Sequence, residues 1–322
     1  RVWISLVGGR LDSSRRAAQD RAGPERRADR SYEASMVTLT RPDGNWAGDL
    51  DLTRRSIALA LAGGYAVAAF SAAAEPIHTD EQGLATATVE IPAADRAIPG
   101  YLARPASQSR CPVVLVYSEV FGVHEWVKDV CRRLAKAGYA ALAPDFFVRA
   151  GDPSKLTDFA QIMKIVGATP DAQVTSDTAV ALKFLRGQAW ADMGRLGVTG
   201  FCWGGGKTWL AVERFADFKA GAAWYGPLKS NTYPQAEPLA LAAQLHAPVL
   251  GLYGGKDKGI PAEDIEAMRA ALKAAGKTQS RIIVYPDAQH GFLADYRQSY
   301  DPAAAKEAWG RMLAFFEAHG VA

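Results

Sequence analysis

The chain has 322 residues, 49% of them hydrophobic and 22% charged, which provides for a globular core and excludes a disordered or fibrous polymer. Its formal charge of +3 comes largely from arginines before residue 60, and the rest is near balance, so nucleic acid is not an expected partner. Three cysteines exclude a disulfide framework, because at most one pair could close, and Cys111 and Cys131 read as small buried apolar residues.

In chain order, residues 1–35 crowd Arg1, Arg10, Arg15, Arg16, Arg21, Arg26, Arg27 and Arg30 into a polar stretch without hydrophobic periodicity. They read as a disordered segment, or as sequence translated upstream of Met36. Residues 36–74 read as a secretory signal region. Thr53-Arg54-Arg55-Ser56 precedes an apolar run over 57–70, and Ala72-Ala73-Ala74 offers small residues for a peptidase. The paired arginines suggest the twin-arginine route. The run is shorter than the roughly 20 residues that span a bilayer. An ordinary buried helix or a retained anchor is the alternative, and Gly63-Gly64 argues against a core helix. The expected mature protein starts near Glu75, is periplasmic or secreted, with a cytoplasmic location as the alternative, and inserts in no membrane.

Residues 75–322 read as one domain. Runs at 85–91 and 98–103 suggest an opening strand pair. The near-continuous apolar run 113–117 suits a strand buried on both faces. Helical spacing over 125–137 stops at Gly138. A strand at 139–143 ends at Pro144, a helix follows at 172–185, a strand at 196–199 and a helix at 204–215. Further strands are expected at 220–224, 249–253 and 282–285, with helices at 262–275 and 303–318. This alternation predicts a mostly parallel central sheet with helices on both faces, and a ligand site at the carboxyl ends of the strands.

One motif carries chemistry. Gly200-Phe201-Cys202-Trp203-Gly204 lies between a predicted strand and a predicted helix. It has the G-x-nucleophile-x-G form of a sharp strand-to-helix turn, where side chains two residues either way would collide. The helix N-terminus also favours a thiolate at Cys202. Partners should follow at later strand ends in the order acid, then histidine. Gly254-Gly255-Lys256-Asp257 and Gln289-His290-Gly291-Phe292 stand there. His290 would take or share the thiol proton, and Asp257 would hold the imidazole tautomer. Asp287 and Asp295 are the rival acids. Of the other histidines, His78, His246 and His319 are poorly placed, while His124 opens a helix beside the expected pocket.

From about Glu81 onward the chain resembles the dienelactone hydrolase (carboxymethylenebutenolidase) family. The matching segments are Ser118-Glu119-Val120-Phe121-Gly122, Ala143-Pro144-Asp145, Gly200-Phe201-Cys202-Trp203-Gly204-Gly205, Tyr253-Gly254-Gly255-Lys256-Asp257 and His290-Gly291-Phe292. The resemblance implies an α/β-hydrolase fold with a cysteine–aspartate–histidine triad. It also implies that the Glu119 carboxylate lies near the thiol and helps govern its ionisation. By position, the N–H groups of Val120 and Trp203 are the expected oxyanion donors.

Members acting on dienelactone hold its carboxylate with arginines, one of them four residues after the catalytic histidine. Here that position is Ala294, and Arg297 stands three residues further on. A third glycine, Gly206, precedes Lys207. Phe121, His124, Phe147, Trp203, Trp224, Tyr225 and Phe292 are the expected lining of a small aromatic pocket, with Arg297, Lys207 and Arg149 as candidate cations. The expected reaction cleaves a small ester or lactone through a thioester on Cys202, with no metal or other cofactor. A thioesterase or peptidase on the same fold, or a non-catalytic small-molecule binder, is the alternative.

Overall fold

The computed structural model describes residues 76–230 and 236–322. The segment expected to be disordered (1–35) and the signal region (36–74) lie outside the described residues. Eight strands form one sheet: β1 (Leu84–Pro92), β2 (Ala97–Pro105), β3 (Cys111–Tyr117), β4 (Ala140–Pro144), β5 (Ala191–Phe201), β6 (Ala220–Trp224), β7 (Val249–Gly254) and β8 (Arg281–Tyr285). Their order is β1-β2-β4-β3-β5-β6-β7-β8, with β1 and β2 antiparallel to their neighbours and the rest parallel. The helices are α1 (Glu125–Lys136), α2 (Phe159–Gly167), α3 (Asp171–Arg186), α4 (Trp203–Arg214), the single turn α5 (Pro238–Leu241), α6 (Ala262–Ala274) and α7 (Pro302–Ala318). Among the described residues no helix is long and apolar enough to cross a membrane.

The central strands form because their residues suit burial on both faces. Every residue of β3, β4, β6 and β7 is buried. Three elements differ from the sequence expectation, one of them the unpredicted single turn α5. The strand expected at 196–199 begins at Ala191, because Cys111 and Pro112 of β3 pair with Ala191 and Asp192. The α2 helix has no counterpart among the predicted elements, although Ile162 and Val166 are buried and Phe159, Met163 and Ile165 pack against the core beside them; at nine residues it is shorter than the helices the sequence marks out. Its start is capped by the Asp158 carboxylate, which accepts from the Ala160 N–H at 2.8 Å.

The topology places the site. From β3 the chain crosses through α1 to β4 on one side, and later returns to β5 on the other side of β3. The connections leaving β3 and entering β5 therefore run to opposite sides at a switch point, the place where such sheets bind ligands. Tyr117 stands beside Gly200 and Phe201 beside Trp224, so Glu119, Cys202 and Tyr225 emerge at one rim.

Candidate active site

Cys202 sits between β5 and α4 with φ 55° and ψ −119°, a backbone state that L residues rarely adopt. The glycines on either side explain how the chain gets there. A Cβ at Gly200 would strike the Gly204 carbonyl, and one at Gly204 would strike the carbonyl oxygens of Tyr117 and Ser118. The turn is held by the Cys202 N–H donating to the Trp224 carbonyl at 3.0 Å. Trp203 is the first residue of α4, so its N–H is among those lacking an intrahelical acceptor. The Gly204 contact brings this helix start against the loop that carries Val120. Gly206, which the motif does not explain, lies against Pro227: a Cβ there would come within 3.0 Å of the Pro227 carbonyl. It admits the turn after β6.

Asp257 follows β7 and His290 follows β8. The His290 imidazole meets the carboxylate with Nδ1 2.7 Å from Asp257 Oδ2, and the second carboxylate oxygen accepts from the Gly259 N–H at 2.8 Å. Both side chains are buried. Burial alone would lower the histidine's pKa. The Asp257 charge and the neighbouring Cys202, each also hydrogen bonding to the ring, outweigh it and push the pKa up to about 10. The rival acids are engaged elsewhere: Asp287 pairs with Lys256 at 2.7 Å, and Asp295 pairs with Arg133 at 2.5 Å.

Glu119 is fully buried just past β3. Burial would raise its pKa, but Arg297, with Nη2 2.9 Å from its Oε1, then His124 and Tyr296 hold it down at about 2. The Tyr296 hydroxyl donates to Glu119 Oε2 at 2.5 Å and accepts from Arg297 Nε at 3.1 Å. His124, the N-cap of α1, has Nε2 3.7 Å from the same carboxylate. Arg297 lies over the rings of Phe121 and Tyr296, at 5.1 and 5.4 Å from their centroids.

Arg297 is expected from the sequence to face an anionic substrate, and its charge is instead matched by Glu119. The other expected cations are paired as well: Lys207 with Asp171 while lying over Trp203, and Arg149 with Asp95 and Asp177. Sequence reasoning misses Tyr296, because nothing there distinguishes it from a packing tyrosine. The aromatic residues expected to line the pocket are closely packed. Phe147, Trp203, Trp224 and Phe292 are at most 1% exposed, with Phe147 packed on Trp203 and Trp224 on Phe201 and Phe292. Tyr225 is buried to the same degree, and it touches His290 directly, ring centroids 5.1 Å apart.

A buried ion network fixes the loop that carries Tyr296 and Arg297. Arg133 bridges Asp129 and Asp295, each at 2.5 Å; the Ile77 N–H donates to Asp295 at 3.2 Å and the Thr79 N–H to Asp129 at 2.5 Å. Pairing on both sides offsets the cost of burying these charges. Among the described residues no group of three His, Cys, Asp or Glu side chains is arranged to hold a metal ion.

A thiol on a strained turn with an acid-oriented imidazole beside it can carry out acyl transfer. Comparison with known proteins points the same way. Residues 98–320 match the profile of the Dienelactone hydrolase family. A protein of Methylorubrum extorquens named "Putative carboxymethylenebutenolidase" is 50% identical over 281 residues, 86% of this chain and 96% of that protein. One of the same name from Escherichia coli is 44% identical over 80% of this chain and 96% of its own length. The crystal structure of a "Putative Dienelactone Hydrolase" from Klebsiella pneumoniae superposes with a TM-score of 0.68 at 44% identity, covering 73% of this chain and 98% of that one. With the profile spanning most of the domain and these identities over most of the chain, the protein belongs to the dienelactone hydrolase family of hydrolases.

Proposed function

We propose that this hydrolase cleaves small, neutral activated esters or lactones with Cys202 as nucleophile, Asp257 and His290 completing the triad. The observation that carries the reading is the His290–Asp257 contact of 2.7 Å beside a cysteine held at φ 55°. With its pKa near 10, His290 is an imidazolium at neutral pH and a fitting counter-ion for a thiolate. The Cys202 sulfur attacks the carbonyl carbon, and the C=O electron pair moves onto oxygen between the N–H groups of Val120 and Trp203. That pair returns as the carbon–oxygen bond to the leaving group breaks, and His290 gives its proton to the departing alkoxide or enolate. The neutral imidazole then takes a proton from water, whose hydroxide attacks the thioester and releases the acid and the thiolate.

The preference for neutral substrates follows from the ion pairs. Each candidate cation already has a carboxylate partner, so an anionic substrate must compete with Glu119 for Arg297. A missing charge-assisted contact costs about 1.5–3 kcal/mol, roughly ten- to a hundred-fold in kcat/KM. Neutral lactones are therefore expected to match or exceed cis-dienelactone in kcat/KM when the two are compared at similar size. A strong preference for the anion would overturn this.

We also propose that the chain is exported through a twin-arginine signal in residues 36–74. A cut near Glu75 leaves intact the bonds from Ile77 and Thr79 to Asp295 and Asp129. Changing Arg54→Lys together with Arg55→Lys should hold precursor in the cytoplasm, and the exported protein should begin near Glu75. Soluble cytoplasmic protein that still carries residues 57–70 as its native form would refute the export reading.

A further inference from the structure

Among the described residues only one non-glycine position besides Cys202 has a positive φ: Tyr225, at 38°. A bulky side chain rarely adopts this conformation, and it persists only where the surroundings over-determine it. They do here. The Tyr225 N–H donates to the Leu252 carbonyl at 2.8 Å, and the preceding Trp224 carbonyl accepts from Cys202. Gly226 lies so close to Gly205 and Gly206 that a Cβ would collide with their backbone. The turn is thus clamped between the start of α4 and β7.

The consequence is the direction of the ring. It meets the His290 imidazole edge-on, at 63° between planes, and is backed by Phe292 at 5.6 Å. Its hydroxyl is fully buried and has no hydrogen-bond partner among the described residues. Buried tyrosine hydroxyls ordinarily find one. Burial first, and then the charge of Glu119, keep the phenol protonated, while Arg297 and Cys202 also act on it. It is therefore a donor set among the groups that surround the thiol.

Resting on the ester-hydrolase reading above, we propose that the Tyr225 hydroxyl donates a hydrogen bond to an oxygen of the bound ester or lactone. The strained turn after β6 serves to place that donor. This gives the pocket a polar contact on the His290 side, beyond the two backbone donors.

The test compares wild type, Tyr225→Phe and Cys202→Ala on one neutral lactone and on cis-dienelactone. It also measures iodoacetamide alkylation of Cys202, protection from alkylation by each lactone, and Tm. Tyr225→Phe should lower kcat/KM roughly ten- to a hundred-fold and weaken protection, while the alkylation rate without substrate and Tm hold or Tm rises. Losses on both lactones assign the donor to the oxygens of the reacting ester. A loss confined to the dienelactone assigns it to the substituent carboxylate. Activity and protection within twofold of wild type on both overturn the proposal, as does a lowered Tm, which would mean that the hydroxyl holds the fold. If the wild type hydrolyses neither compound, or Cys202→Ala remains active, the hydrolytic reading fails separately, and protection or turnover still decides Tyr225.

Discussion

Replacing Cys202 with alanine is expected to abolish turnover, by at least about 10⁴-fold, while the protein still unfolds cooperatively. On the proposed mechanism the loss is large because the sulfur forms the acyl bond in the first half-reaction and leaves in the second, and no other group in the site can replace it. The fold should survive because the turn at φ 55° depends on the close approaches of Gly200 and Gly204, which alanine leaves alone. Cysteine also packs as a small apolar residue, so truncation opens little space. His290 provides a second readout. Cys202 is one of the groups that raise its pKa to about 10, so in Cys202→Ala the imidazole should titrate at lower pH, visible by NMR. Cys202→Ser should also be slow, since a hydroxyl ionises far less readily than a thiol. Full activity in purified Cys202→Ala protein would remove the triad assignment.

Glu119→Gln should have the next largest effect, and on stability as well as chemistry. The substitution leaves the Arg297 guanidinium, 2% exposed, without its counter-charge, a defect that typically costs about 3–5 kcal/mol. The pH dependence gives an independent measure. A carboxyl lowered from 4.5 to about 2 stabilises the folded state above pH 4.5, and the gain is lost as pH falls towards 2. At about 1.4 kcal/mol per unit this is roughly 3 kcal/mol, in line with the cost of orphaning Arg297. The acid-side loss in wild type should therefore be smaller in Glu119→Gln, which begins from a lower plateau. Removing a negative charge while leaving a positive one near the thiol should also move the pH profile of Cys202 alkylation to lower pH. Wild-type stability with an unchanged alkylation profile would show that Glu119 plays no part in the site.

Much of this site is legible in the order of its residues. The elbow is legible because its requirement is local: Gly200 and Gly204 stand two residues either side of Cys202, where the turn brings backbone together. Asp257 and His290 are legible because a parallel sheet sends successive strand ends to one rim. Glu119 is legible as a position, through the family segment, but its partners are not. The short α2 helix escapes such a reading although Phe159, Ile162, Met163 and Val166 recur at helical spacing, because nine residues between loops form too short a run to stand out.

The sequence by itself determined the strand and helix alternation, the strained turn at Cys202 and the order of Cys202, Asp257 and His290 along the strand ends, since each depends on steric rules spanning a few residues or on strand periodicity. Only the tertiary structure decided what the charges do. Arg133 reaches Asp295 across 162 residues of chain, and Tyr296 reaches Glu119 across 177. No local rule assigns such pairings, because a buried ion is stable only beside the counter-charge that folding delivers to it. For the same reason Arg297, whose position near His290 points to a role in meeting substrate, became the partner of Glu119. Gly206 acquired its meaning only when Pro227 was brought against it.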